Sequence, residues 1–324
     1  MIISRTPLRI SFVGGGTDIR DYYMINGGAV ISAAINKYIY ITINKRFDDT
    51  IRVSYSKTEI VDDVNKIKHD IVRETMKLVG ITKGVEITSI ADVPSRGTGL
   101  GSSSAFTVGF LNALYAFKGQ HRSAKQLAEE ACKIEIGILK EPIGKQDQFI
   151  CAHGGFQHIK FNPDGTVLVD YIICNKETVE ELKINLMMFY TGILRRANSI
   201  LTKQVNNISK NKHIMDKIKE LTYEMKDMLI KNKIREFGKI LHKGWLYKKQ
   251  LASDISNDAI DKYYAKALKA GASGGKILGA GGGGFLLLYC EENKQDKVRK
   301  ALKQLREFPF NFEQQGSNII YVGS

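Results

Sequence analysis

A chain of 324 residues with 43% hydrophobic and 25% charged residues is long enough to bury a sizeable core in one large or two ordinary domains. The formal net charge of +14 comes from lysines interleaved with acidic residues, which argues against a nucleic-acid-binding stripe. The excess suits the steering of anionic substrates, and a general drift of the composition toward lysine is the alternative that we favour. No apolar run reaches transmembrane length, the N-terminus lacks a signal-peptide layout, and the four cysteines form no CxxC pair, so we expect a cytoplasmic chain that binds neither membranes nor nucleic acid.

The first predicted strand covers residues 2–13, where apolar and polar residues alternate and Arg9 lies on the face opposite the apolar set. Gly14-Gly15-Gly16-Thr17-Asp18 follows directly, and glycines at a strand end allow a ligand to approach the backbone closely. The alternative is a plain turn in which Asp18 caps the next helix. Further strands are predicted at 29–35, 38–46 and 50–56, followed by an amphipathic helix over 67–79 and a strand near Val85.

A glycine- and serine-rich stretch, residues 94–106, lies between that strand and a helix indicated by apolar residues at helical spacing over 106–117. Its glycines permit close backbone approach, and its serine hydroxyls and the N–H groups of the helix start suit a phosphate. No Gly-Lys-Ser/Thr follows, so it is not a Walker A loop, and a flexible surface loop is the alternative. The candidate phosphate-binding residues are Gly97, Gly99, Leu100, Gly101, Ser102, Ser103 and Ser104.

Two carboxylates follow. A capping box beginning at Ser123 opens a helix, and Glu135 falls on its apolar face, where a carboxylate is costly unless something binds it. Either a metal ion binds Glu135 or this edge of the helix reaches water. Pro142 ends the helix, Gly144 loosens the following turn, and Asp147 lies just beyond, in a position typical of a turn-forming residue.

The second half of the chain is predicted to begin near residue 180, giving domains 1–180 and 181–324. A hairpin over 154–174 precedes this boundary. After it come a buried strand at 186–190, long helices over 198–251 and a helix from 256 that ends at Gly271. A second glycine-rich loop, 276–285, leads into a strand at 285–289, and a helix around 298–305 and a strand at 319–322 complete the chain.

Three stretches, 9–18, 94–105 and 276–285, resemble in order and content the three motifs of the GHMP kinases, and the resemblance covers essentially the whole chain. The form Thr6-Pro7-Leu8-Arg9 followed by three glycines is similar to a sugar-kinase branch that includes heptose 7-phosphate kinases and fucokinases. Galactokinases carry Glu-His where this chain has Gly15-Gly16. The resemblance implies a two-domain α+β fold, with a first domain like domain 2 of ribosomal protein S5, a ferredoxin-like second domain and an active site between them.

The resemblance also implies roles for individual residues. The loop from Gly97 to Ser104 would hold the ATP phosphates, Asp147 would act as the base, and Arg9 would stabilise charge on the transferred phosphoryl group. Ser103 and Glu135 would bind Mg²⁺, with Ser104 as an alternative to Ser103. The implied substrate-binding residues are Gly16, Thr17, Asp18, Gly144, Gly281, Gly282, Arg195 and Arg196. Two solvated arginines at a helix start are an equally good interpretation of the last pair.

The function implied is ATP-dependent phosphorylation of the anomeric hydroxyl of D-glycero-D-manno-heptose 7-phosphate to the 1,7-bisphosphate, for the synthesis of nucleotide-activated heptose. The basic charge and Gly15-Gly16 favour this substrate, and a fucose- or galactose-type 1-kinase is the alternative. A catalytically silent sugar sensor is a third interpretation, against which the intact Asp147, Glu135 and Ser103 argue. The expected partners are ATP and a sugar phosphate, and the sequence leaves the oligomeric state open.

Overall fold

A computed structural model describes residues 1–94, 97–193 and 197–323, so Arg195 and Arg196, two predicted substrate-binding residues, lie outside the described chain. Within these ranges the strands are β1 Ile2–Val13, β2 Gly28–Lys45, β3 Ile51–Ser54, β4 Thr58–Val61, β5 Val85–Ala91, β6 Phe156–Phe161, β7 Val167–Tyr171, β8 Leu186–Tyr190, β9 Gly274–Ile277, β10 Phe285–Tyr289, β11 Arg306–Glu307 and β12 Asn318–Val322. The α-helices are α1 Arg20–Asn26, α2 Asp70–Val79, α3 Ser102–Phe117, α4 Ala124–Cys132, α5 Gln146–His153, α6 Lys176–Asn185, α7 Ala197–Asn206, α8 Ile208–Ile230, α9 Phe237–Lys249, α10 Asp258–Ala270 and α11 Glu292–Ala301.

The strands form two sheets, which confirms the predicted α+β fold. In the first, the order is β12-β1-β2-β5-β3-β4, and β6 pairs with the first part of β2 and with β7. The strands of this sheet are antiparallel except where β3 runs parallel to β5. Helices α3 and α5 pack against β1 and β2. The second half of β1 is buried on both faces, because α8 and α9 also contact this strand.

The second sheet is antiparallel in the order β11-β8-β10-β9. Its apolar residues form a core with those of α10, and α9 packs against β9. The last strand, β12, leaves this half of the chain and pairs with β1 of the first sheet. Residue 180 lies inside α6, and the division of the chain at that residue stays a prediction. No helix in the described ranges is both long and apolar enough to cross a membrane.

Three local predictions were wrong in detail. β2 is a single strand of 18 residues where the sequence predicts two, because its pairing with β1 continues through a register shift beside Pro7. The last helix is Glu292–Ala301 and not 298–305, because the apolar spacing marks only its buried end and the turn beyond it. The capping box at Ser123 is present, but α4 ends at Cys132 and continues as a π-helical segment, Lys133–Ile138. This wider turn, a feature often found at functional sites, carries Glu135.

Candidate active site

An ion pair joins strand β1 to helix α5. Arg9 donates from Nε to Asp147 Oδ1 and from Nη2 to Oδ2, both at 2.7 Å, and from Nη1 to the carbonyl of Gly99 at 2.5 Å. This fork geometry fixes both side chains in direction as well as distance. The Arg9 side chain is buried, whereas 23% of the Asp147 side chain is exposed. The carboxylate is therefore held in place and still accessible to a ligand.

The first glycine-rich loop is held between β1 and the second glycine-rich loop. The N–H of Arg9 donates to the carbonyl of Leu100 at 3.0 Å. A Cβ atom on Gly99 would lie 2.3 Å from the carbonyl oxygen of Leu278, and a Cβ on Gly284 would lie 2.5 Å from that of Thr98. Only glycine permits such an approach, so both loops owe their glycines to direct backbone packing against each other.

Helix α3 begins beside the ion pair. Its N-cap, Gly101, has a φ of 75°, and a Cβ on it would lie 3.1 Å from Arg9 Cγ and 3.4 Å from Asp147 Oδ2. The first N–H groups of a helix have no partner inside the helix and favour an anion. Ser102, Ser103 and Ser104 occupy this first turn, so a helix end that favours an anion lies beside the Asp147 carboxylate.

Glu135 lies at the same end of α3. Ser103 donates from Oγ to Glu135 Oε1 at 2.9 Å, and Gln148 donates from Nε2 to Oε2 at 2.7 Å. Burial raises the pKa of Glu135 to about 7, against hydrogen bonds from Gln148, Ser103 and Ser104, which lower it. Within the described chain, no three His, Cys, Asp or Glu side chains cluster as a metal site. A cation at Glu135 would therefore take most of its ligands from elsewhere.

Asp18 does not cap the helix that follows it. The N-cap of α1 is Ile19, without a side-chain bond, and the Asp18 carboxylate instead accepts from the N–H of Gly16 at 2.9 Å and of Gln146 at 3.2 Å. Asp18 thus joins the loop after β1 to the first residue of α5. Burial raises the pKa of Asp18, and the nearby Asp147 charge acts in the same direction.

Several predicted substrate residues have evident packing roles. The Thr17 hydroxyl donates to the carbonyls of Gly14 and Ala29 at 2.9 and 2.8 Å, which shapes the loop. A Cβ on Gly144 would lie 1.9 Å from Asp18 Oδ2. The carbonyl of Ile255 would lie 2.6 Å from a Cβ on Gly281, and it accepts from the N–H of Gly282 at 2.7 Å. Substrate contacts of these residues stay predictions.

Sequence reasoning missed two lysines. Lys276 is buried and donates to the carbonyls of Ser11 and Phe12 at 2.7 and 3.0 Å. Burial lowers its pKa well below the ordinary value, as do the charges of Lys248 and Arg9. Lys248, on α9, donates to the carbonyl of Gly15 at 3.1 Å. Lys276 stands at the start of the third motif, which was a usable signal, whereas nothing in the sequence around Lys248 marks it.

Known proteins resemble this chain over its full length. The family model for the N-terminal domain of GHMP kinases matches residues 65–155, and the model for the C-terminal region of GHMP kinases matches 225–307. The D-glycero-alpha-D-manno-heptose 7-phosphate kinase of Campylobacter jejuni is 31% identical over 97% of both chains. The bifunctional fucokinase/GDP-fucose pyrophosphorylase of Arabidopsis thaliana is 25% identical over 93% of this chain and 31% of its own.

A solved structure is similar throughout. The crystal structure of a D-glycero-D-manno-heptose 1-phosphate kinase from Bacteroides thetaiotaomicron superimposes with a TM-score of 0.81, at 26% identity and with all of both chains covered. The Campylobacter and Bacteroides relatives share a heptose in their names, but their names place the phosphate at different carbons.

The position of Asp18 depends on glycine at 144, which gives a test by substitution. We expect Gly144→Ala to lower the free energy of unfolding by at least about 2 kcal/mol, because the new methyl group overlaps the Asp18 carboxylate. Gly137→Ala is the matched control, since its Cβ meets only an ordinary contact with Lys133 at 3.9 Å, and it should keep stability unchanged or raise it by up to about 1 kcal/mol. Equal denaturation midpoints for the two variants would contradict the described position of Asp18.

Proposed function

Because this chain belongs to the GHMP kinase family and is an ATP-dependent sugar kinase, we propose that it phosphorylates the anomeric hydroxyl of D-glycero-D-manno-heptose 7-phosphate. The product is the 1,7-bisphosphate, a precursor of nucleotide-activated heptose, and the reaction takes place in the cytoplasm. The observation that carries the proposal is the Asp147 carboxylate, held by Arg9 and partly exposed beside the first turn of α3.

The chemistry follows from that placement. Asp147 accepts the proton of the anomeric hydroxyl while the hydroxyl oxygen attacks the γ-phosphorus of ATP. The bond from that phosphorus to the oxygen that bridges it to the β-phosphorus breaks, and ADP leaves. Arg9 orients Asp147 through two hydrogen bonds and adds positive charge where the transferred group becomes more negative. Phosphoryl transfer asks little else of a protein than such positioning and neutralisation.

The first turn of α3 and the glycine loop before it hold the ATP phosphates. The N–H groups of the first helical turn supply donors along the helix axis, and Gly99 and Gly101 let the backbone come close to the phosphates. Ser102 keeps its hydroxyl 3.2 Å from that of Thr98, which fixes the loop before the helix. Gly99 and Gly101 lie against Arg9, so the terminal phosphate of ATP would meet the same ion pair that holds the base.

The residues present fit a magnesium ion. Mg²⁺ prefers oxygen ligands and keeps several from water or phosphate, and Glu135 Oε1 and Ser103 Oγ converge at 2.9 Å. Burial raises the pKa of Glu135 to about 7, and a bound cation would lower that pKa again because it favours the charged carboxylate. When bound, Mg²⁺ would neutralise charge on the ATP phosphates, and Ser103 and Glu135 would hold it while Gln148 orients the carboxylate.

The sugar is supported by relatives. Two proteins named for heptose phosphates, at 31% and 26% identity, span nearly all or all of this chain. The fucokinase relative is 25% identical, and the match covers only 31% of that relative's own length. The fucose- or galactose-type alternative is therefore not favoured. Arg195 and Arg196 remain proposed contacts for the substrate phosphate.

The function is tested by a coupled ADP-release assay over a panel of sugars. The panel contains D-glycero-D-manno-heptose 7-phosphate, the heptose 1-phosphate, unphosphorylated heptose, fucose and galactose. We expect the highest kcat/KM for the 7-phosphate, by at least about a hundredfold over unphosphorylated heptose, because hydrogen bonds to a charged group contribute about 1.5–3 kcal/mol each. Better turnover of the 1-phosphate would show that the attacked hydroxyl is not the anomeric one. Better turnover of a neutral sugar would refute the proposal that the substrate carries a phosphate.

The metal site is tested separately. We expect Glu135→Gln to raise the Mg²⁺ concentration for half-maximal activity at least about tenfold, and to weaken Mn²⁺ binding to the protein–ATP complex in an electron paramagnetic resonance titration, because a ligand charge is lost. Glu129→Gln is the control, since Glu129 is exposed on the preceding helix. Unchanged Mn²⁺ affinity in Glu135→Gln would leave Glu135 with a structural role alone.

A further inference from the structure

Polar atoms surround the place where Gly15 and Gly16 lack side chains. A Cβ atom built on Gly16 would lie 3.8 Å from Gln204 Oε1 and 3.9 Å from Lys248 Nζ. One built on Gly15 would lie 3.8 Å from the same Lys248 Nζ and 3.5 Å from Gln146 Nε2. Gln146 directly precedes Asp147. We call the side chains of Gln204, Lys248 and Gln146 the Gly15–Gly16 rim, and through Gln146 this rim reaches the first turn of α5, which also carries the proposed base.

The folded chain does not itself require glycine at position 15. Its φ lies outside the left-handed region, and a Cβ would meet only ordinary van der Waals contacts. Glycine at this position thus leaves space that no other part of the described chain needs. The polar atoms around this space would select which hydrogen-bonding groups a molecule bound there can carry.

The rim contains a buried acceptor without a donor. Gln204, on α7, is 4% exposed, and its Oε1 has no hydrogen-bond partner among the described residues. Its Nε2 donates to the carbonyl of Ala280 at 3.3 Å, and turning the amide over would set two oxygens against each other, so the orientation of the amide is determined. A buried acceptor left unpaired costs about 1–3 kcal/mol, which a donor from a ligand would recover.

Two further buried polar atoms beside the rim lack hydrogen-bond partners in the described chain. Gln146 Oε1 and the hydroxyl of Ser11 are also buried without partners in the described chain, and the Ser11 hydroxyl lies 3.7 Å from the Cβ position of Gly15. Lys248 Nζ supplies the complementary donor, and its bond to the carbonyl of Gly15 at 3.1 Å directs it to this place. Acceptors that need a donor, beside an ammonium that donates, match a hydroxyl group, which does both.

We propose that Gln204 and Lys248 bind one non-reacting hydroxyl group of the sugar beside Gly16. Lys248 Nζ donates a hydrogen bond to the hydroxyl oxygen, and Gln204 Oε1 accepts a hydrogen bond from the hydroxyl group. The inference rests on the proposed sugar kinase function and adds two residues that determine specificity. A phosphate dianion does not fit this place as well, because it has no proton for Gln204 Oε1. The phosphate of the substrate is therefore bound elsewhere in the site.

The first test measures KM for sugar and for ATP in Gln204→Leu and Lys248→Met. We expect the sugar KM to rise about 3–10-fold in Gln204→Leu and about 10–100-fold in Lys248→Met, with the ATP KM changed less than about twofold. Lys249→Met and Gln250→Leu are matched controls, because Lys249 pairs with Asp261 at the surface and Gln250 is exposed at the end of the same helix. Gly15→Ala, which the fold accommodates, should also raise the sugar KM and serves if a rim variant does not fold.

The second test repeats the assay with monodeoxy analogues of the preferred sugar. A site that hydrogen-bonds a hydroxyl discriminates strongly against the analogue that lacks it. For one deoxy position, the loss caused by Gln204→Leu should disappear, while the ratio of kcat/KM between phosphorylated and unphosphorylated sugar stays unchanged in both variants.

Three results would overturn the proposal. Wild-type sugar KM values in Gln204→Leu, Lys248→Met and Gly15→Ala would remove the rim from the substrate site while leaving the kinase function intact. Loss of the preference for phosphorylated sugar in Lys248→Met would show that the rim holds the phosphate. An unmodified chain that turns over no sugar in the panel would refute the proposed function itself, and this inference with it.

Discussion

The bidentate ion pair between Arg9 and Asp147 joins three parts of the molecule that are far apart in sequence. Arg9 comes from β1 of the first sheet, Asp147 from the start of α5, and the third guanidinium bond reaches the carbonyl of Gly99 in the loop before α3. Because the arginine is buried, its charge must be matched by acceptors, and losing one partner of such a pair costs about 3–5 kcal/mol. The same bonds that satisfy the buried charge therefore fix the distance between the proposed base and the proposed phosphate site.

Backbone packing extends this constraint to the second half of the chain. Gly99 and Gly284 each lie against a carbonyl of the opposite loop, so a displacement of the loop before β10 would shift the start of α3 as well. Lys276 and Lys248 strengthen the same junction, since both donate to carbonyls of β1 or the loop after it. The two halves thus meet through oriented backbone contacts, and the candidate site lies at their junction.

Local sequence patterns predicted those features whose causes are local. A carboxylate on an apolar helical face signalled Glu135, since such a residue needs a partner, and the structure gives it Ser103 and Gln148. The two-domain α+β fold and the kinase family followed from three motifs in order, and both are confirmed. The roles assigned to individual site residues stay predictions.

Features that depend on distant packing were not predictable. Asp18 has the pattern of a helix cap, yet its carboxylate binds the N–H of Gln146, 128 residues away. Gln204 and Lys248 carry no local signal, because only the packing of α7 and α9 brings them to Gly16. The sequence places the C-terminal strand in the second half of the chain, but the strand pairs with β1 of the first sheet. For Asp18 and the C-terminal strand the local interpretation was physically sound and a tertiary contact overrode it, whereas for Gln204 and Lys248 the tertiary contact is the first signal.

The central claim, that Arg9 and Asp147 work as one unit in phosphoryl transfer, is tested most directly by a double-mutant cycle. The rate of a single turnover is measured for the unmodified chain, Arg9→Met, Asp147→Asn and the double variant, with folding checked by denaturation. If the two residues act together, the loss in the double variant should fall short of the product of the single losses by at least about tenfold. Losses that multiply would show that the two side chains act independently and would contradict the account.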